Sequence, residues 1–253
     1  MQIILCRISG FLSHLSLPGF LLKPAIAIYI KLYKVQPDLF DIETDEYRCF
    51  NDFFIRKIKP GSRPFSGVFA SPIDGKLYAS GSIEDQTLLQ VKGQSVSVTN
   101  LLAEQDNTLR SYWSFYLAPG DYHRVHAPCD MEIKSVTYIP GTFYSVSPRV
   151  ARKKPVFLKN ERVVIRSETS AGTIYLVMIA ALNVGNIGLK VFNDTIPADK
   201  KLRKIENFPG PAHYKQGDEI GRFNFGSAVV LLTPKTINKN NKIRKVNLGE
   251  SLV

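Results

Sequence analysis

"GRFNFGSAVVLLTP", residues 221–234, decides how the chain is read. Val229, Val230, Leu231 and Leu232 form a short apolar run that stops at Thr233-Pro234. A bounded apolar run of this length is the pattern of a buried strand, and proline ends it because it has no N–H to give to a sheet. Gly226 and Ser227 stand where that strand begins. Glycine weakens a strand and a serine gains little from burial, so the pair needs a reason other than folding.

Outward from this strand the same texture recurs. Turn signals fall at Pro60-Gly61, Pro72 with Asp74-Gly75, Pro119-Gly120-Asp121, Pro140-Gly141 and Pro209-Gly210. Between them lie "SYWSFYL" (111–117), "IKSVTYI" (133–139), "RVVI" (162–165) and "TIYLVMIAAL" (173–182), rich in aromatic and β-branched residues. Short strands with regular turn punctuation predict a mainly antiparallel β domain. The apolar run 174–182 is expected to be a central strand buried on both faces. Residues 235–245, "KTINKNNKIRK", read as a mobile basic tail.

Before residue 60 the pattern is helical. "FLSHLSLPGFLLKPAIAIYIKLYKV" (11–35) is apolar but broken at Pro18-Gly19 and Lys23-Pro24, so no run reaches the roughly 18–20 residues that span a bilayer. It also lacks the layout of a secretory signal. Pro24 suits the first position of a helix, with Ile26, Tyr29, Ile30 and Tyr33 on one face and Lys23, Lys31 and Lys34 around it. Such a helix either lies in a membrane interface or packs on a domain, and both readings stand. A second helix is predicted over 45–58, with Phe50, Phe53 and Phe54 at helical spacing. The fold class is therefore α+β: N-terminal amphipathic helices over 1–60, then one mainly antiparallel β-rich domain over 61–253.

Composition narrows the chemistry. The 253 residues are 44% hydrophobic, ample for a sizeable core. Three scattered cysteines, Cys6, Cys49 and Cys129, contain no CxxC pair, which argues against a disulfide framework or zinc site and suits a reducing cytosol. The formal charge of +11 implies an anionic partner. Nucleic acid and anionic lipid are the large candidates, and no RNA-recognition signature favours the first.

No P-loop, GxGxxG or HExxH motif is present. "NVGNIG" (183–188) reads as a turn after a strong strand. Of four histidines, His123 and His126 occur together in "DYHRVHAPCD" (121–130). In an extended segment they face opposite ways, and no third metal ligand accompanies them. "SPIDGK" (71–76) reads by itself as a turn in which Asp74 serves its own backbone. Taken singly, each element has an ordinary structural reading.

Taken together they do not. "FNDFFIRKIKPGSRP", "SPIDGK", "YHRVHAPCD", "IPGTFYSVS", "ALNVGNIG" and "GRFNFGSAVVLL" occur in the order found in the phosphatidylserine decarboxylases of bacterial and mitochondrial type, and the chain resembles that family from about residue 10 to 234. The resemblance implies a self-processing enzyme that converts phosphatidylserine to phosphatidylethanolamine and CO2. Decarboxylation of an amino acid needs an electron sink that no ordinary side chain provides. By resemblance, this sink is a pyruvoyl group made from Ser227 when its hydroxyl cleaves the Gly226–Ser227 bond. The products are a large chain, 1–226, and a small one, 227–253, that stay associated. His126 is then the base, Asp74 its orienting acid, and His123 acts in decarboxylation. No metal is implied. The N-terminal region matches the family's membrane-docking helices, giving a peripheral protein on the cytoplasmic face of the cell membrane, with anionic lipid rather than nucleic acid as partner and homo-oligomerisation left open. Ala228 stands where the family most often has threonine, and Phe225 where it has leucine; the lost hydroxyl beside the nucleophile is expected to bear on the rate of cleavage. The alternatives are a non-catalytic lipid-binding protein of the same fold, or a pyruvoyl decarboxylase of a soluble amino acid.

Overall fold

A computed structural model describes residues 13–40, 47–89, 95–151, 153–181, 187–194, 203–224, 227–237 and 243–253. Helix α1 (Gly19–Tyr33) and a short α2 (Phe50–Phe54) precede the strands β1 (Gly75–Ser82), β2 (Thr87–Leu89) and β3 (Ser95–Ser97). Helix α3 (Val98–Leu102) leads into β4 (Ser111–Leu117), β5 (Arg124–His126) and β6 (Met131–Ile139). Two single-turn helices, α4 (Pro148–Ala151) and α5 (Val156–Lys159), precede the hairpin β7 (Arg162–Thr169) and β8 (Gly172–Ile179). The remaining strands are β9 (Ile187–Leu189), β10 (Arg203–Ile205), β11 (His213–Tyr214), β12 (Glu219–Phe223), β13 (Ser227–Thr233) and β14 (Arg244–Val246).

The main sheet has nine strands in the order β10-β6-β7-β8-β13-β4-β1-β14, with β11 also on β6, and β5-β12-β9 form a separate three-stranded sheet. Every pairing between these strands is antiparallel, as the turn punctuation predicts. The run beginning at Ile174 lies within β8, flanked by β7 and β13 and buried from Ile174 onward, so it is a central strand. Strand β13 is buried along its whole length. It pairs with β4 from Ser227↔Leu117 to Thr233↔Ser111, and with β8 from Ala228↔Ile179.

The helical region differs from expectation in detail. Helix α1 starts at Gly19, because the Pro18 carbonyl accepts from Leu21 and Leu22 N–H. Pro24 is thus interior rather than first, and it has no N–H to give to the Phe20 carbonyl. Leu22 and Ile26 are buried, and with Tyr29 and Ile30 they pack around Phe53. The predicted face is therefore turned mostly onto the protein, with Tyr33 exposed. A second apolar stripe, Phe20, Leu21, Ile28 and Leu32, faces outward at 50–75% exposure.

Helix α2 covers only part of the 45–58 expected, and residues 41–46 lie outside the described set. Asp52 accepts from Arg48 and Cys49 N–H at its start. At its end the Arg124 guanidinium takes the Ile55 carbonyl at 2.8 Å, and Arg56 leans on those of Phe53 and Phe54. Carbonyls satisfied by side chains need no further helical N–H, so the helix stops there. The basic tail is likewise only partly as predicted: Arg244 and Lys245 are paired to β1 in β14, while 238–242 lie outside the described residues.

Leu231 is fully buried, paired to Trp113 on one side and Leu176 on the other. Leu231→Ala is expected to cost about 2–5 kcal/mol of stability, read as a lowered denaturant midpoint.

Candidate functional site

The three motifs meet at one end of the main sheet. The register places Ser227 opposite Leu117, and the loop that leaves β4 there carries Asp121, Tyr122 and His123. Lys76 pairs with Tyr116, and Gly75 with Val246, so Asp74 sits at the same end, two strands from Ser227. "SPIDGK" lies against "YHRVHAPCD" through the Pro72 carbonyl, which accepts from His126 N–H, and the Pro128 carbonyl, which accepts from Ala70 N–H. "GRFNFGS" joins them through the β12–β5 ladder and a Phe223 N–H bond to the His123 carbonyl at 2.9 Å. Ser227 and Asp74, 153 positions apart in "SPIDGK" and "FGSAVV", are thus neighbours in layout because β1, β4 and β13 are adjacent.

Burial at this end is nearly complete. Ser227 and His123 are 0% exposed, and Asp74 and His126 only 7% and 8%. The imidazoles have separate surroundings. His123 donates from Nδ1 to the Asp121 carbonyl at 2.8 Å, and its ring packs at a tilt against Phe54, centroids 4.2 Å apart. A carbonyl only accepts, so Nδ1 bears the proton and Nε2 presents a lone pair. Among the described residues that Nε2 has no hydrogen-bond partner, and neither has Ser227 Oγ. Burial first, then the nearby Arg56 cation, pulls the His123 pKa down to about 3, so the ring is neutral in ordinary buffer.

His126 donates from Nδ1 to the Gly217 carbonyl at 2.7 Å, and its Nε2 accepts the Tyr122 hydroxyl at 3.0 Å. Gly217 has φ of +94°, a left-handed turn that suits glycine and aims this carbonyl at the ring. Burial lowers the His126 pKa as well. The Tyr122 phenol is pushed far up by burial, so it stays a donor.

Asp74 is engaged elsewhere. Its carboxylate takes a two-pronged bond from Arg63, at 3.0 and 3.1 Å, and accepts the Leu248 N–H at 2.6 Å. Among the described residues it makes no direct bond to His126; Asp74 acts on that ring through its field. Asp74 and Tyr122 line a small cavity of about 70 Å³ together with Lys34, Arg63, Asp121 and Lys245. Gly226 and Phe225 lie outside the described residues. Ala228 is buried between Tyr116 and Ile179, beside the nucleophile candidate as expected.

Three contributors carried no role in the sequence reading: Tyr122 on His126, Arg63 on Asp74, and Leu248 on Asp74. Tyr122 and Arg63 lie inside the quoted motifs, which was the available signal. Leu248 acts through its backbone, for which side-chain chemistry gives none.

Comparison with known proteins points to one family. A family model described as phosphatidylserine decarboxylase matches residues 50–253. The phosphatidylserine decarboxylase proenzyme of Methylobacillus flagellatus is 35% identical, with 99% of this chain and 94% of the relative covered. That of Legionella pneumophila (strain Corby) is 40% identical over 76% of this chain and 74% of its own. The Shewanella sp. (strain ANA-3) proenzyme is 36% identical over 92% and 84%.

The depressed His123 pKa has a consequence for acid stability. Between its ordinary value of 6.5 and about 3 the unfolded chain binds a proton that the folded chain refuses. Stability therefore falls as pH drops through this window, by up to about 1.4 kcal/mol per pH unit for one site. In denaturant titrations from pH 7 to 4, His123→Phe is expected to shallow that slope by about one proton, leaving the His126 part in place.

Proposed function

The chain belongs to the phosphatidylserine decarboxylase family, and on that premise we propose how its residues make and use the site. It is an enzyme, a carboxy-lyase that converts phosphatidylserine to phosphatidylethanolamine and CO2. The observation that carries the finer reading is Ser227: wholly buried, its Oγ unpartnered among the described residues, at the start of a strand held on both sides. A serine so placed gains nothing by staying a serine. The ladder bonds of β13 also hold the new terminus in place once the 226–227 bond is broken.

In this reading Ser227 Oγ attacks the Gly226 carbonyl carbon. Its proton passes through His126 to the departing Ser227 nitrogen, the C–N bond breaks and an ester forms. Loss of the Ser227 Cα proton then expels the Gly226 carboxylate, and water releases ammonia to leave a pyruvoyl terminus on the small chain, 227–253. His126 suits the task because Gly217 fixes its tautomer and leaves Nε2 basic; the Tyr122 hydroxyl on that atom must yield it or relay the proton. Asp74, anchored by Arg63 and Leu248, supplies negative charge beside the imidazolium that forms.

The pyruvoyl, once formed, supplies a ketone that takes up the electron pair left when the carboxylate departs as CO2. His123 moves the protons. Its neutral Nε2 takes one from the substrate ammonium and returns it to the α-carbon after CO2 has left.

A second reading exchanges the histidines. The free Nε2 of His123 favours it as the base for cleavage, since that of His126 is occupied.

We further read residues 1–60 as the docking region and 61–253 as the catalytic domain, with α1 lying on the cytoplasmic leaflet. Phe20, Leu21, Ile28 and Leu32 supply the apolar contact. Lysines near an anionic surface add about 1 kcal/mol each. No helix among the described residues is long and apolar enough to cross a membrane.

A denaturing gel with mass analysis tests the cleavage. Wild type is expected as two fragments split at 226–227, and Ser227→Ala as one chain. His126→Ala is expected to stay largely uncut, and His123→Ala to cut but decarboxylate at least a hundredfold more slowly. The opposite pattern would establish the second reading, and an uncut wild type would end both.

Docking is tested by flotation with vesicles of phosphatidylglycerol and phosphatidylethanolamine. Leu21→Asp/Ile28→Asp/Leu32→Asp is expected to leave most protein unbound while still cutting itself. Undiminished binding would assign docking to another surface.

A further inference from the structure

The tautomer of His123 is set by a carbonyl, and that carbonyl is shared. The Asp121 oxygen accepts His123 Nδ1–H at 2.8 Å and Arg56 Nη2–H at 3.1 Å. The same Nη2 also donates to the Gly120 carbonyl at 2.9 Å. The guanidinium is 2% exposed and lies over the rings of Phe40 and Phe53, at 4.3 and 5.1 Å from their centroids. Among the described residues it has no carboxylate within ion-pair distance, and its Nε has no partner.

We infer that Arg56 is a positioning residue for His123: gripping the Gly120 and Asp121 carbonyls, it holds the imidazole as its Nδ1–H tautomer with Nε2 free, and it couples that state to the N-terminal helices. The inference rests on His123 taking part in the reaction, in either of the roles above.

A carbonyl that could turn away would release the ring to donate from either nitrogen. Two bonds from one rigid guanidinium to consecutive carbonyls prevent that turn. Arg56 also brings an uncompensated positive charge beside the ring, which disfavours the imidazolium. The titratable groups around the pair are Tyr29 of α1, Tyr47 before α2, and Asp121 and Tyr122 of the loop itself. The Asp121 carboxylate is turned to the Ala118 N–H at 2.7 Å.

The same loop is held from the other side by α1. Tyr29 donates its hydroxyl to the Pro119 carbonyl at 2.6 Å. Gly120 lies so close to the Tyr33 carbonyl that any Cβ there would collide with it. Carbonyls 119, 120 and 121 are thus bonded in turn by Tyr29, by Arg56, and by Arg56 with His123. A shift of α1 or α2 is transmitted to the imidazole through three consecutive peptides.

A plain structural clamp would look similar, and the chain contains one for comparison. Arg162 is also buried and grips the carbonyls of Asn100, Leu101, Leu158 and Asn160, away from either histidine.

Nitrogen-15 NMR of labelled histidines in the uncut Ser227→Ala protein tests the inference, with His123 assigned by its absence in His123→Phe. In the parent, His123 is expected to remain neutral with Nδ1 protonated from pH 8 to 5. Arg56→Met is expected to mix the tautomers and raise the ring's titration midpoint by about one pH unit or more. Arg56→Lys keeps the charge without the fork, so it should mix the tautomers with the ring still neutral; it serves alone if the methionine variant does not fold. Arg162→Lys should lower stability and leave the His123 signals where they are. With Ser227 intact, Arg56→Lys should lower the decarboxylation kcat about tenfold or more with apparent KM within twofold. Unchanged His123 signals in the Arg56 variants would overturn the inference, as would a matching change in Arg162→Lys. Full decarboxylation and cleavage by His123→Ala would instead remove the role of His123, a result separate from the NMR outcome.

Discussion

The double ladder on β13 is the constraint on which the rest depends. From Ala228 onward the strand is bonded to β8 on one side and β4 on the other, so its position does not rely on the peptide bond before Ser227. A chain can be cut there without losing the strand, because each ladder bond remains and the buried side chains of 229–232 still exclude water. The C-terminal segment adds a second hold. Strand β14 pairs with β1, Leu252 N–H bonds the Phe69 carbonyl, and Leu248 N–H bonds Asp74. The residues after the proposed cleavage point therefore help to build the site.

Sheet order then gathers the chemistry. Adjacent strands lie about 4.8 Å apart, so Ser227, the loop after Leu117 and Asp74 share one end of the sheet at small separations. Burial does the electrostatic work at that end. It keeps both imidazoles neutral and the Tyr122 phenol protonated.

The positive charge of the chain has two distinct uses. Some of it is internal: Arg56, Arg124 and Arg162 are buried, and each satisfies backbone carbonyls at a loop or helix end. Such a guanidinium replaces the N–H groups that an irregular backbone fails to supply. Only the remainder is available to a surface partner, so net charge overstates what the surface offers to an anionic one.

The strands at 111–117, 133–139 and 162–165 and most of that expected at 173–182, which ends at Ile179, were legible in the sequence, as were the β-rich class and the identities of Asp74, His123, His126 and Ser227 as candidates. Alternation, turn residues and motif order are local properties, and a family's motifs carry its chemistry with them. The helices were less legible. Apolar residues ring α1 almost all round, so periodicity could not say which stripe the domain covers, and α2 ends where arginines from two segments take its carbonyls. The partners of each candidate were not legible at all. That His126 bonds Tyr122 and Gly217, and that Asp74 bonds Arg63 and Leu248, follows from strand order and loop path. Sequence by itself determined which groups are present and which segments are strands, because those depend on each residue and its neighbours. Only the tertiary structure decided which nitrogen holds a proton and which oxygen is left unpartnered, because a hydrogen bond is set by atoms that the chain brings together from far apart.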